Sequence, residues 1–207
     1  MNEIIKILEK TESIINGGHF IGTSGQHMSS YINKDKLISN PKYASKVGRE
    51  FAAKFKNKKI DVVVAPAVAG ISLSQWTAFH LGKMNKRTVY SVYTEKDENN
   101  NQIFKRGYDL LIKNKKILIV EDITTLGNSV KKVIKAVKGA KGELIGVCSM
   151  VNRNPKNVNS KSLKVPFSSL CQVKIPSYSP KNCPLCKKNI PINTNLGHGR
   201  SYVKKNK

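Results

Sequence analysis

The chain has 207 residues, with 37 Lys plus Arg against 13 Asp plus Glu, and a formal net charge of +24. An apolar share of 39% beside 24% charged residues suits a packed globular protein and excludes a disordered one. Four cysteines are too few for a disulfide-dense secreted module, no apolar run approaches the roughly 18 residues of a membrane span, and the N-terminus lacks the apolar h-region of a signal peptide, so a soluble cytoplasmic protein is expected.

Residues 2–15 carry Ile4, Ile5, Leu8 and Ile15 at helical spacing, with Gly17-Gly18 as the stop. The next segment, GHFIGTSGQHMSSYINKD, has strand or loop character. Asn40-Pro41 reads as an N-cap and first helical residue, opening a helix with Ala44, Val47, Phe51 and Phe55 on one stripe. An unbroken apolar strand from Ile60 to Ala65 leads into the turn PAVAG, a helix over 71–83 and a strand over 87–93. The polar stretch Glu95 to Gln102 predicts a mobile loop. Ile117 to Val120 form a further strand, TTLGNS a turn, and Val130, Val133, Ile134 and Val137 mark a helix before a strand over 143–151. Apolar strands alternating with helices predict a parallel sheet covered on both faces. From about residue 154 the pattern fails. Pro, Ser and Asn dominate there, with short strands around 165–174, a CxxC, and a basic end at Lys204, Lys205 and Lys207.

The most informative stretch is the strand–turn–helix at 117–137. A turn at the carboxyl end of a parallel strand, opening a helix, aims several backbone N–H groups and the positive helix end at one spot, which suits phosphate. Thr125 and Ser129 add hydroxyl donors, and Gly127 permits close approach of the backbone. Glu121 and Asp122 would repel the phosphate itself, so they suit the hydroxyls of the sugar that carries it. The pattern asks for a ribose 5-phosphate.

ILIVEDITTLGNS resembles the phosphoribosyl-diphosphate (PRPP) signature of the type I phosphoribosyltransferases, with Leu126 where a small residue is usual. The resemblance implies that Glu121, Asp122, Ile123, Thr124, Thr125, Leu126, Gly127, Asn128 and Ser129 bind PRPP. DVVVAPAVAGI, one βα unit earlier, resembles the family's pyrophosphate loop, which assigns the diphosphate to Ala67, Val68, Ala69 and Gly70. Ala69 stands where some relatives carry Lys, so Lys96, Lys105 or Arg106 must meet the diphosphate charge. GHFIGTSGQHMSSYINKDKL, FKRGYD and CPLC are similar to segments of the orotate phosphoribosyltransferases, thermophile-type branch, over about residues 17–192. Thr23 replaces a Lys usual there. Asn152-Arg153 falls where those enzymes pair an Arg with the orotate carboxylate, and a guanidinium fork matches that group.

The fold implied is α/β: a type I phosphoribosyltransferase core with a parallel sheet flanked by helices, and a small hood. Residues 1–40 would form the N-terminal hood segment, 41–153 the core, and 154–207 a hood extension with the CxxC and the basic tail. The reaction implied is PRPP with orotate, Mg²⁺-assisted, in a homodimer. Lys96, Arg106 and Asp122 would be catalytic, and Thr125, Arg153 and Tyr31 would contact orotate. Transfer to a purine or uracil, and a nucleic-acid-binding regulator on the same fold, stay open as alternatives. The positive charge is spread along the whole chain with many Asn, which favours compositional bias over a nucleic-acid partner. Cys183 and Cys186 are half of a structural zinc site, a reduced turn or a redox pair. Cys171 and His198 are the candidates to complete a site, while His19, His27 and His80 read as packing residues.

Overall fold

The computed structural model describes residues 2–205, so Lys207 of the basic end lies outside the described residues. The chain divides into two compact units, one of Ile5–Leu37 with the chain from Lys174 onward, the other of Asn2–Ile4 with Ile38–Val173.

The helix α1 (Glu3–Lys10) buries Ile7 and Leu8 but stops earlier than the apolar spacing predicts. Glu12 takes a left-handed φ of 48°, and the Ser13 N–H donates to the Leu8 carbonyl at 2.8 Å, closing the helix. Ile14 and Ile15 therefore begin β1 (Ile14–Ile21), which pairs antiparallel with β2 (His27–Ile32) through Phe20–Met28 and Ile21–His27. Gly17-Gly18, expected to end a helix, instead lie within β1, where the pairing shifts register. The short α2 (Lys34–Ile38) buries Leu37.

In the second unit α3 (Pro41–Phe55) starts as its sequence predicts. The Asn40 side chain accepts the Lys42 N–H at 3.0 Å and Pro41 occupies the first turn. Phe51 is fully buried, and its truncation to Ala costs about 3–5 kcal/mol. There follow β3 (Val62–Pro66), α4 (Ala69–Asn85), β4 (Tyr90–Lys96), β5 (Gln102–Ile103), α5 (Tyr108–Ile112), β6 (Lys116–Thr124), α6 (Asn128–Gly139), β7 (Glu143–Asn152), α7 (Ser160–Leu163) and β8 (Phe167–Gln172). The sheet runs β5-β4-β3-β6-β7-β8, parallel except for the edge strand β5.

Val62, Val64, Ile117, Ile119 and Val147 join Val130, Val133, Ile134 and Val137 of α6 in one buried cluster. The alternate residues Val63, Ala65, Leu118 and Val120 are equally buried, and α4 packs against β3, β4 and β6 with α3 beyond it. Burial on both sides explains why these strands are apolar at every position. The sheet also continues past residue 153, where its sequence suggests a boundary. β8 pairs parallel with β7, and the unit ends at Val173.

The chain then returns to the first unit. There β9 (Ser177–Tyr178) extends β2, a 3₁₀ turn at Pro180–Asn182 leads into α8 (Pro184–Lys187), and α9 (Gly199–Lys205) closes the described chain. Asn193 and His198 donate their N–H groups to the His19 and Ile21 carbonyls at 2.8 and 2.9 Å, tying this segment to β1. Among the described residues no helix is long and apolar enough to cross a membrane.

Candidate active site

The order β4-β3-β6-β7-β8 reverses direction between β3 and β6. β3 connects through α4 to its neighbour on one side, and β6 connects through α6 to its neighbour on the other. At such a switch point the connections leaving the carboxyl ends of the two central strands diverge and open a crevice, where open α/β sheets hold their ligands. Val64 pairs with Ile119, so two residues on the strands reach Pro66 and Glu121 side by side. The pair of acids and the PAVAG turn thus share one end of the sheet.

Glu121 and Asp122 lie near the end of β6 at 7% and 9% exposure, and the Ile123 N–H donates to Asp122 Oδ1 at 2.5 Å. Gly127 caps α6 with φ 72°, a left-handed turn that a side chain would strain, and offers no side chain to the helix N–H groups. Asn128 and Ser129 are exposed in the first turn of α6, and Leu126 points outward at 43% exposure. Thr125 is half-buried. Thr124 differs from its neighbours: its hydroxyl donates inward to Ser149 Oγ at 3.2 Å and the residue is buried. What remains to meet a ligand from 123–129 is therefore mainly backbone N–H together with the Thr125 and Ser129 hydroxyls.

The 67–70 loop joins β3 to α4. The Ala67–Val68 peptide is cis, Val68 is 82% exposed, and Val68 gives α4 no side-chain cap. No side chain caps the first amides of α4, while the Ile71 N–H donates to the Val68 carbonyl at 3.1 Å and the Ala67 N–H to the Thr94 carbonyl at 2.8 Å. A Cβ on Gly70 would fall 2.7 Å from the Ala65 Cβ, so only glycine lets α4 start this close to β3.

Residues 95–102, expected as a mobile loop, form a hairpin that runs to Ile103. Lys96 pairs with Gln102 and Glu95 with Ile103. The tip is closed by Asp97, which accepts the Asn101 N–H at 2.7 Å and the Asn101 side-chain amide at 3.0 Å. These bonds, the Asn101 side chain first, hold the Asp97 carboxyl below its ordinary range. Lys132 of α6 donates to the Asn100 carbonyl and pins the tip. Local Asx chemistry supplies the order that the missing apolar residues do not.

Lys96 is exposed at the end of β4. Glu95 binds Arg106 Nε at 3.2 Å and Lys105 Nζ at 3.7 Å, with Arg106 in a left-handed φ of 60°. Tyr93 and then Glu95 raise the pKa of Arg106. Glu95 was not among the residues the sequence singles out, yet it anchors both cations. Two adjacent cations just past the return strand of a hairpin that opens with an acid are the signal that could have found it.

Arg153 follows β7, and its N–H donates to the Thr124 carbonyl at 2.8 Å, so it sits beside the β6–α6 turn. Tyr31 belongs to the first unit, on β2, where it stacks on Phe20 with centroids 5.5 Å apart. The candidates to complete a metal site with Cys183 and Cys186 need correction. Cys171 lies in β8 with its thiol directed to the Met150 carbonyl at 3.4 Å, and His198 bonds Thr23 at 3.1 Å. His19 and His27 take their place beside the two cysteines, because the β1–β2 hairpin turns at 22–26 and sets both histidines on one face. His80, by contrast, is held by Ser45 at 2.9 Å.

Residues 33–176 match the phosphoribosyl transferase domain family. The chain is 37% identical over 190 residues to orotate phosphoribosyltransferase of Caldanaerobacter subterraneus subsp. tengcongensis, covering 92% of this chain and 94% of that one. It is 37% identical to the Thermotoga maritima orotate phosphoribosyltransferase, covering 91% and 94%. A crystal structure of the Mycobacterium tuberculosis orotate phosphoribosyltransferase shares the fold at a TM-score of 0.65, with 18% identity, covering 82% of this chain and 96% of that one. The chain belongs to the phosphoribosyl transferase domain family and, within it, to the orotate phosphoribosyltransferases.

Proposed function

We propose that this chain transfers the 5-phosphoribosyl group of PRPP to orotate, giving orotidine 5′-monophosphate and diphosphate. The observation that carries the reading is the convergence of the 67–70 loop and the 123–129 turn at one switch point, with Glu121 and Asp122 between them. Two anion-binding backbone turns separated by a pair of carboxylates complement a ribose with a phosphate at each end.

In this reading the 5-phosphate lies against the N–H groups opening α6, with Thr125 and Ser129 donating, and Glu121 and Asp122 accept from the ribose hydroxyls. The diphosphate lies on the 67–70 loop. Lys96 and Arg106, with Lys105, supply its counter-charge. Arg106 and Lys105 are held ready by Glu95 in partly exposed, solvent-screened ion pairs, so a diphosphate can draw them away at little cost. Arg153 pairs with the orotate carboxylate beside Thr125. The bond from the anomeric carbon to diphosphate breaks and the bond to the orotate nitrogen forms, with the proton of that nitrogen passing to the departing diphosphate. Positive charge developing on the ribose is met by the nearby carboxylates, so catalysis is positioning and electrostatics rather than covalent attack. The hard oxygen donors of Glu121 and Asp122 suit Mg²⁺, which takes one or two carboxylates alongside substrate phosphates and neutralises diphosphate charge.

Exposed Phe79 and Met84 on α4 and Tyr90 on β4, at 57%, 40% and 53%, support a homodimer that covers them. Four unpaired cysteines, with burial raising the Cys148 and Cys171 thiols to about 12 and about 11, suit the reducing cytoplasm. The test is a base panel: purified chain, PRPP and Mg²⁺ with orotate, uracil, adenine or hypoxanthine, followed by ultraviolet absorbance and diphosphate release. Orotate consumed with equimolar diphosphate is expected; turnover of another base with none of orotate overturns the reading.

A further inference from the structure

Four side chains of the first unit converge: His19 on β1, His27 on β2, and Cys183 and Cys186 around the Cys-Pro-Leu-Cys turn. One ligand-type atom from each lies within 4.8 Å of all the others. His19 and His27 are 2% and 0% exposed, Cys183 is 0% exposed, and both cysteines are free thiols. His19 Nε2 stands 3.8 Å from Cys183 Sγ and 3.9 Å from Cys186 Sγ, and His27 Nδ1 stands 3.3 Å from Cys186 Sγ. Bond lengths of about 2.3 Å to sulfur and 2.0–2.1 Å to nitrogen put the edges of a tetrahedral zinc site at about 3.3–3.8 Å. The cluster is already near that size. Among these four separations only the 2.8 Å between His19 Nε2 and His27 Nδ1 is short, and it is a hydrogen bond that a cation would replace.

The His19 tautomer suits a metal. A carbonyl can only accept, so the 2.7 Å contact from His19 Nδ1 to the Ile190 oxygen fixes the proton on Nδ1 and leaves the Nε2 lone pair aimed into the cluster. That is how a metal-binding histidine is oriented by its second nitrogen. In the 2.8 Å contact between the two histidines His27 Nδ1 is the donor to His19 Nε2, and zinc binding would move its proton to Nε2, which is buried with no hydrogen-bond partner among the described residues. Two thiolates, two neutral imidazoles and a divalent cation sum to zero charge, which a buried site tolerates.

We propose that His19 Nε2, His27 Nδ1, Cys183 Sγ and Cys186 Sγ form a closed tetrahedral zinc site that clasps the carboxyl-terminal segment to the β1–β2 hairpin. With all four positions filled by protein, the ion is structural, and mixed nitrogen–sulfur tetrahedral coordination selects zinc over hard cations. It bridges segments as much as 167 residues apart in sequence, where a cross-link removes the most chain entropy.

The full-length chain, purified under reducing conditions without chelator or reconstituted with Zn²⁺ and desalted, should hold about one zinc per chain. Cobalt in its place should show the visible and thiolate-to-metal bands of a tetrahedral sulfur-containing site. Cys183→Ser with Cys186→Ser should lose the zinc, and Cys171→Ser and His198→Ala should keep it. Chelation should speed amide exchange over 19–32 and 183–192. No zinc retained after reconstitution, octahedral cobalt spectra, retention by the double variant, or loss in Cys171→Ser or His198→Ala overturns the proposal. The first two readouts use the unaltered chain and none uses transferase activity, so they stand whether or not orotate is the substrate.

Discussion

The two ends of the parallel sheet satisfy their backbones in different ways. At the amino end Asp61 accepts Arg87 Nη1 at 3.0 Å and the Lys116 N–H at 2.9 Å, while its own N–H donates to the Lys116 carbonyl at 2.8 Å and its carbonyl accepts the Tyr90 N–H at 3.0 Å. Arg87 donates in addition to the Ile60 carbonyl. One residue stitches β3, β4 and β6, and every polar group it has is used. At the carboxyl end of the same strands, α4 and α6 begin without side-chain caps, Leu126 and Val68 point to solvent, and Glu95 shares itself between two weakly held cations. Polar capacity is consumed at one end and kept available at the other. The first arrangement suits stability, and the second suits the ligand site of the proposed function.

Substitutions at the two ends should therefore separate activity from stability. The largest effect on turnover is expected from Asp122→Asn, about 100-fold or more in kcat with the melting temperature held, because Asn can still accept the Ile123 N–H but cannot offset positive charge on the ribose. Steady-state kinetics beside thermal unfolding checks it, and near-normal turnover removes Asp122 from the ribose site. Arg153→Ala should raise the orotate KM about 30-fold, the low end of the 2–5 kcal/mol lost with a hydrogen-bonded charge pair, and leave the PRPP KM near its starting value. An equal loss for both substrates would take Arg153 out of the base pocket.

At the amino end, Asp61→Ala should cost about 1–3 kcal/mol of stability by orphaning the Lys116 amide and the Arg87 guanidinium, with kcat unchanged. Burial alone would raise the Asp61 carboxyl, but the Lys116 amide and Arg87 outweigh it and hold it below its usual range. A lowered pKa contributes stability above the unfolded value, about 3.9, and the contribution fades as pH falls through the folded value. Urea unfolding of both proteins should show the gap full at neutral pH and closing below about pH 4. The smallest effect is expected at Leu126→Ala, within about 0.5 kcal/mol of stability and with the PRPP KM unmoved, since the position serves through its N–H. Leu126→Pro, which removes that N–H, should raise the PRPP KM.

The same contrast decides what could be read from the amino acids alone. Runs such as Val62–Ala65 and Ile117–Val120 are buried on both faces, so hydrophobicity announces them, and the helix start at Asn40-Pro41 and the turn after Asp122 carry their own local chemistry. Elements ordered by polar contacts are quieter. The hairpin at 95–103 depends on Asp97 and Asn101, which in sequence are two polar residues among eight. β8 is largely half-buried at the edge of the sheet, so the core looks finished at residue 153 when it runs to 173. His19 and His27 become partners only once 22–26 is seen as a hairpin turn rather than an undefined segment, and their cysteines arrive from more than 150 residues away.

The central claim, that PRPP is held at the carboxyl end of this sheet, is tested most directly by amide hydrogen exchange with and without PRPP and Mg²⁺. Protection is expected over 67–72 and 123–131, with residues 60–62, 87–90 and 115–117 unchanged. Protection at the Asp61 end, or spread evenly through the sheet, would contradict the account.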